Sequence, residues 1–282
     1  MLEDLGLPVR RLRFSRSRRG VAGLVIVLCI TLVAISAAWL APDSPTAQHL
    51  TERRHGPSPR HPFGQDELGR DNLSRVLHGA RLSLRVGVSA AVIALVAGGI
   101  LGILAGILGG WPDSLIVSLA DMVLAFPTLL LALTLIMVLG RGLTSATLAV
   151  ALAAVPVFVR LARVGVVRAK RQEYVLAARA LGVPSRLVVS RHILPDVLPP
   201  LIVQAMLFVG TAILEVAGLS FLGLAAQPPA PEWGAMIAQG RGAVFAAPHI
   251  MLFPGLAIML TVVGFNLLGD GLRDVLDPRT EP

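Results

Sequence analysis

The sequence predicts an all-α polytopic membrane protein with six transmembrane helices. Three observations support this fold class: the composition, the length of the apolar runs and the position of the basic residues. Of 282 residues, 55% are hydrophobic and only 15% are charged, which is too apolar for an ordinary soluble domain. Runs of about 18 or more apolar residues indicate bilayer spans, so a large soluble protein with buried helices is the weaker alternative.

The first apolar run, 21–41, is the first predicted span. It follows a basic segment, 1–20, which we expect to be cytoplasmic because positive charge favours that side. A cleaved signal peptide begins similarly, but its apolar region is only about 7–15 residues long, so we predict a retained anchor. The arginines before this run are Arg10, Arg11, Arg13, Arg16, Arg18 and Arg19.

A polar, proline-rich stretch, 42–81, is predicted to form an extracytoplasmic loop, and 82–282 a five-helix core with a cytoplasmic loop at 168–197. Each run in that core can cross about 30 Å of hydrocarbon at about 1.5 Å per residue. Six crossings return the C-terminus to the cytoplasm, although basic residues in the 42–81 loop are a partial exception to the charge pattern. The five runs lie at 82–109, 115–139, 143–167, 198–224 and 250–268.

The net charge of +8 does not indicate nucleic-acid binding. Basic residues cluster at the ends of the spans and in loops, not on a face interleaved with aromatic side chains, so membrane topology explains them better. The single cysteine, Cys29, lies inside the first apolar run. It therefore predicts neither a disulfide framework nor a thiolate metal site.

The second span carries a row of small residues, one every four positions. Such a row lets another helix approach closely in lipid, where packing replaces the missing hydrophobic drive. The spacing predicts a helix-packing seam, and it leaves open whether the partner is a helix of this chain or of a second subunit. The row comprises Ala90, Ala94, Gly98, Gly102, Gly106 and Gly110.

The segment 168–200 is too polar to span a membrane and too patterned to be a linker. A short helix is predicted at 172–181, ended by Gly182 in the left-handed conformation. A second short helix, 185–193, is predicted to stop at Pro195. The pattern leaves two interpretations open, an amphipathic hairpin on the membrane surface or an element that docks a protein. The first helix groups four side chains near one face: Tyr174, Ala177, Ala178 and Leu181.

The spacing of Ala177-Ala178, Gly182 and Leu194-Pro195 resembles the "EAA" loop of binding-protein-dependent ABC importer permeases. The resemblance implies a type I permease fold in which this loop inserts into a groove of an ATPase subunit, with Tyr174, Leu181 and His192 in the same contact region. Leu176 replaces the leading glutamate of the motif. A salt bridge from that position is therefore not expected, and the contact would rest on shape.

Three further segments, at 61–84, 121–133 and 215–237, resemble the second permease subunit of dipeptide, oligopeptide and nickel importers. The resemblance implies a bacterial cytoplasmic-membrane subunit that moves di- or oligopeptides, or nickel chelates, by alternating access. It also implies four kinds of neighbour: a homologous second permease in a heterodimer, two ABC ATPase subunits or domains, an extracytoplasmic substrate-binding protein, and membrane lipid.

The chain has no phosphate-binding loop of the GxxxxGK[ST] type. That loop needs a lysine after a glycine, and the only lysine, Lys170, follows Ala169. We therefore expect no catalytic residue and no bound cofactor in this chain, with ATP and Mg²⁺ held by partner subunits. Two other functions are the weaker alternatives. A secondary transporter would show inverted repeats, and an intramembrane enzyme would need several polar groups that converge on one site.

Two carboxylates, Asp121 and Glu215, fall inside predicted spans. Acidic side chains in a membrane usually face a water-filled path or a partner, so each is either part of the pathway or its gate, or one half of a structural pair. His49, His55 and His61 recur six residues apart. That spacing is too wide, and too poor in other ligands, to predict a metal site.

Overall fold

The computed structural model describes residues 17–276. Residues 1–16, which make up most of the predicted basic N-terminus, lie outside the described part of the chain, as do residues 277–282. Between these limits all the regular secondary structure is helical, apart from one isolated bridge between Gln65 and Asp71. The predicted all-α class is confirmed.

Ten α-helices follow one another in residues 17–276. Short 3-10 turns at Leu50–Glu52 and Arg241–Ala243 and a π-helical turn at Val189–Ile193 complete the secondary structure. The helices are α1 (Arg18–Leu40), α2 (Asn72–Leu108), α3 (Gly110–Leu124), α4 (Thr128–Leu139), α5 (Leu143–Ala169), α6 (Glu173–Ala180), α7 (Ser185–Val188), α8 (Leu194–Phe221), α9 (Trp233–Gly240) and α10 (His249–Leu276).

Five helical segments in the described chain are long and apolar enough to cross a membrane, and α3 with α4 makes a sixth if that bent pair is one span. The axes of α3 and α4 differ by 96°. The third run predicted at 115–139 is therefore two helices joined by a sharp bend, not one continuous helix. Pro127 precedes α4 and has no N–H to donate, and the residue before a proline disfavours the helical conformation, so the chain turns at 125–127.

The second span also begins earlier than predicted. Helix α2 starts at Asn72, where the Asp71 side chain accepts a hydrogen bond of 2.7 Å from the backbone N–H of Ser74, as N-cap residues do. The predicted loop 42–81 therefore ends about ten residues too late. Hydropathy did not predict the first turns of α2 because they contain polar side chains. Two of those side chains, Asn72 and Arg75, are nevertheless buried in the fold.

Helix α2 packs along α5, and the row of small residues lies in that contact. A Cβ atom added to Gly98 would lie 2.5 Å from Cβ of Phe158, and one on Gly106 would lie 2.7 Å from Cβ of Val166. Gly110 does not continue the row. It begins α3 with a φ of 58° and has open space around it, because α2 has already ended at Leu108.

A buried polar cluster holds the 42–71 segment to the end of the bundle near α9. Nε of Arg70 donates to Oδ2 of Asp66 at 2.6 Å, and its Nη2 donates to Oε1 of Gln239 at 2.6 Å. Trp233 begins α9 fully buried, and its Nε1–H donates to the carbonyl of Val76 in α2 at 3.0 Å. This end is therefore closed by side-chain hydrogen bonds, while the opposite end carries α6 and α7.

Candidate functional site

The helical hairpin at 170–193 projects from the end of the bundle opposite the 42–71 segment. In its first arm, α6, Val175 and Ala178 are buried, whereas Leu176, Ala177 and Leu181 are exposed. The prediction that Ala177 and Ala178 share one contact face is thus wrong for Ala178, which is 9% exposed and packs inside the hairpin. The exposed apolar side of α6, formed by Leu176, Ala177 and Leu181, is the surface available to another protein.

The turn between the arms is fixed by Gly182. Its φ of 75° lies in the left-handed region that glycine adopts without steric cost. The N–H groups of Gly182 and Val183 bond the carbonyls of Arg179 and Ala178 at 3.0 and 3.1 Å, which is the paired hydrogen-bond pattern of a Schellman motif. The turn therefore presents Leu181, which is 84% exposed, at a defined position.

The second arm does not stop at Pro195, contrary to the sequence-based prediction. Helix α7 runs through the π-helical turn Val189–Ile193 into α8, and Pro195 lies in the first turn of α8. The wider turn provides a bond from the N–H of Leu194 to the carbonyl of Val189. Pro195 has no N–H to bond the preceding turn of this continuous helix, and the π-helical turn is where the chain accommodates it. The hairpin is thereby continuous with a membrane-spanning helix.

Two further contacts attach the hairpin to the bundle. Nζ of Lys170 donates to the carbonyls of Gly106 and Ile107, both at 2.7 Å, at the C-terminal end of α2. Burial lowers the pKa of Lys170 from its ordinary value. The Tyr174 hydroxyl donates to the Asp196 carboxylate in α8. Desolvation and this hydrogen bond raise the pKa of Tyr174 to about 12, so the hydroxyl keeps its proton at neutral pH.

Replacing Lys170 by methionine should loosen the hairpin. The last carbonyls of α2 would lose their only cationic partner among the described residues, and hydrogen bonds to charged groups contribute about 1.5–3 kcal/mol. We expect a lower melting temperature of the purified protein. The matched control is Arg171→Met, since Arg171 is exposed and forms no side-chain hydrogen bond in residues 17–276. Equal melting temperatures for both variants would contradict this role.

A cavity of about 510 Å³ opens where the break between α3 and α4 faces α5 and α8. Phe126, Val157 and Phe208 form much of its apolar wall, and Glu215 and Gln204 of α8 contribute polar groups. Its size is within the range of about 300–1,000 Å³ typical of small-molecule sites. Of the two carboxylates expected on a pathway, the structure places Glu215 in this wall.

Asp121 instead forms an ion pair, which was the structural alternative left open by the sequence. Nη2 of Arg160 in α5 lies 2.5 Å from its Oδ1, and the two side chains are 53% and 45% exposed. One step nearer the hairpin, Nε and Nη2 of Arg163 bond both oxygens of Asp113 at 2.5 and 2.7 Å. These two pairs join α3 to α5 beside the cavity.

Sequence reasoning missed several of these groups. Gln204 and Thr211 lie seven residues apart on the α8 face that lines the cavity, and Thr211 is followed four residues later by Glu215. This helical spacing of polar side chains inside an apolar run was the available signal. His61, one of three spaced histidines, is buried and its Nδ1 lies 2.9 Å from Oδ1 of Asp71, so its contact is structural.

Comparison with known proteins identifies the family. The model of the "binding-protein-dependent transport system inner membrane component" family matches residues 98–282, which include the cavity, the hairpin and the last two spans. The chain belongs to this family. A second model, the N-terminal transmembrane domain of oligopeptide transport permease C, matches residues 9–57.

Two curated relatives support the same conclusion over nearly the whole length. The dipeptide transport system permease protein DppC of Alkalihalophilus pseudofirmus is 46% identical over 267 residues, 95% of this chain and 88% of the relative. The glutathione transport system permease protein GsiD of Escherichia coli is 45% identical over 268 residues, with the same shares. The predicted family is confirmed: this is the permease subunit of an ABC importer, a multi-pass inner-membrane protein.

A solved structure shows the same fold. A chain of the MetNI methionine ABC transporter, described in inward-facing conformations, superposes with a TM-score of 0.52 at 18% sequence identity. The match covers 68% of this permease and 94% of that chain. The type I permease fold expected from the loop resemblance is therefore confirmed.

Proposed function

We propose that this permease forms one half of the pathway of an importer of short peptides. The substrate class rests on the relatives, which are named for dipeptide and glutathione transport, and the cavity volume of about 510 Å³ suits a molecule of that size. Solute enters from a separate binding protein. ATP and Mg²⁺ are bound and hydrolysed by partner subunits, and the permease itself performs no covalent chemistry.

The observation that carries the mechanism is the unbroken helical path from the hairpin into α8. An ATPase subunit contacts the exposed apolar side of the hairpin, around Ala177 and Leu181. Since the second arm continues into α8, and α8 lines the cavity, a displacement of the hairpin moves the cavity wall directly. Lys170 and Tyr174 keep the hairpin from swinging freely.

A second, homologous permease covers the cavity side of the bundle. The Asp121–Arg160 pair is about half exposed within apolar helices, and charged groups at membrane depth face a protein partner or a water-filled path, not lipid. The same face carries the open cavity. A heterodimer closing on this face would enclose the pathway between the two subunits.

The hairpin end is cytoplasmic, as are both chain termini, and the 42–71 segment faces the binding protein. The basic residues around 160–191 support this orientation. The closed polar cluster of Asp66, Arg70 and Gln239 gives the outer end a rigid surface. Cysteines introduced at Gly56 and Leu181, labelled with a membrane-impermeant reagent in intact cells, should react only at Gly56.

Uptake measurements test the substrate. Cells lacking the permease gene, with and without the gene restored on a plasmid, are given a labelled dipeptide or a labelled nickel chelate. Restored uptake of the dipeptide supports the proposal. Uptake of nickel alone would replace it with the nickel importer that the sequence resemblance also allows.

Substitution of Ala177 by arginine tests the coupling surface. Ala177 is exposed on α6, so a long charged side chain there should block the close approach of the ATPase without disturbing the hairpin interior. We expect the ATPase to be lost on co-purification and uptake to fall at least tenfold. Gly56→Arg is the matched control for co-purification of the ATPase, because Gly56 lies at the opposite end and a Cβ added there would meet no atom within 4 Å among the described residues. Retention of the ATPase by Ala177→Arg would overturn the assignment.

A further inference from the structure

The cavity at the α3–α4 break contains a carboxylate that has no partner among the described residues. Within the same part of the chain, Glu215 is the only titratable side chain in the cavity lining, and the other lining groups are apolar or neutral. Its Oε2 atom is buried and has no hydrogen-bond partner within residues 17–276. None of the ion pairs formed in that part of the chain includes Glu215.

An unpaired carboxylate at membrane depth is costly, so a cation or hydrogen-bond donor is expected there during function. The three neutral polar residues of the same wall, Thr128, Gln204 and Thr211, do not serve as donors to it. A purely structural carboxylate would be bonded within the fold, as Asp113 and Asp121 are. Glu215 therefore differs from every other carboxylate placed inside the described spans near this cavity.

The charge along the pathway changes sign toward the hairpin end. A second cavity of about 410 Å³ shares Gln204 and Leu207 with the first, and Arg168 and Arg273 contribute to its wall. A solute moving along α8 thus meets one acidic position and then basic positions. A short peptide has a positive charge at one terminus and a negative charge at the other, which matches this order.

We propose that Glu215 is a specificity-determining residue of the pathway, where the protonated amino terminus of a peptide binds transiently during transport. The inference rests on the proposed import of short peptides. The contact is a charge-assisted hydrogen bond from the ammonium group to the half-buried Glu215 carboxylate, which is stronger than a bond between neutral groups. Arg168 and Arg273 receive the carboxylate end as the solute moves toward the hairpin end.

Transport by the whole importer in proteoliposomes tests this contact. The initial rate of labelled dialanine uptake is measured for wild type and for Glu215→Gln at pH 7 and pH 9. The amino group of a peptide has a pKa of about 7.7–8.0, so it is mostly charged at the lower pH and mostly neutral at the higher one. We expect wild type to exceed the variant about tenfold at pH 7 and much less at pH 9.

Wild type and Glu215→Gln are assembled with the same binding protein and ATPase. The ratio of their rates at each pH therefore removes the effect of pH on those two partners. Glu215→Asp should keep the pH-dependent advantage, and Thr211→Val, an uncharged change in the same wall, should alter the rate equally at both pH values. A wild-type to Glu215→Gln ratio that does not change with pH would overturn the inference. Absence of dialanine uptake by wild type would instead refute the proposed function itself.

Discussion

Replacing Gly102 by alanine should strongly reduce the amount of folded permease in the membrane. An added Cβ would lie 2.7 Å from Cβ of Ala162 and closer still to the carbonyl oxygen of Val159 in α5. A backbone oxygen cannot rotate away, so α2 and α5 must separate and lose contact along the whole row. We expect a net loss of about 1–2 kcal/mol, because overpacking outweighs the roughly 1 kcal/mol that alanine gains as a helix former.

The matched control is Gly99→Ala, three residues earlier on the same helix. A Cβ on Gly99 would meet only Cδ1 of Leu201, at 3.8 Å, which is an ordinary contact. Quantitative immunoblots of membranes and thermal unfolding in detergent should show loss for Gly102→Ala and no loss, or a small gain, for Gly99→Ala. Equal behaviour of the two variants would show that close helix approach at Gly102 is not needed.

The sequence predicts the spans well because the thickness of the bilayer sets their length and composition. Hydropathy carries no information on chain direction, which is why the 96° break between α3 and α4 was missed. Pro127 was the available signal, but prolines also occur inside α5 and α8. Whether a proline breaks a membrane helix depends on what satisfies the freed carbonyl, and neighbouring helices decide that.

The hairpin shows the same limit at the level of one helix face. Gly182 predicts the turn correctly, since the left-handed position is a local requirement. The buried face of α6 was not predictable, because Val175 and Ala178 on one side and Leu176 and Ala177 on the other are all apolar. Periodicity cannot choose between two apolar faces. The second arm, packed against the first, determines which one is covered.

The polar contacts depend most on tertiary structure. Asp113 and Arg163 are 50 residues apart in sequence, and nothing in either segment indicates that their side chains meet. The sequence could place Asp121 and Glu215 within spans, but it could not separate a paired carboxylate from an unpaired one. That difference, visible only in the fold, is what distinguishes a structural contact from a position on the pathway.

Replacing Arg163 by alanine should destabilise the permease by about 2–3 kcal/mol. The change leaves the Asp113 carboxylate, which is 16% exposed, without its two short hydrogen bonds, and breaking a fully buried pair costs about 3–5 kcal/mol. Removing Asp113 as well should restore most of that loss, because no uncompensated charge remains. The residual loss is the favourable interaction of Asp113 with the first turn of α3.

A double-mutant cycle of Asp113→Ala and Arg163→Ala, read by thermal unfolding, measures this coupling. If the stability losses of the two single variants simply add in the double variant, the predicted coupling between Asp113 and Arg163 is contradicted. The same cycle on Asp121 and Arg160 tests the surroundings of the neighbouring pair, whose side chains are about half exposed in the single subunit. Exposed pairs in water contribute about 0–1 kcal/mol. The coupling between Asp121 and Arg160 is therefore measured both in the isolated subunit and in the assembled importer. If it becomes as large as that of Asp113 and Arg163 only in the assembled importer, the second permease lies against Asp121 and Arg160.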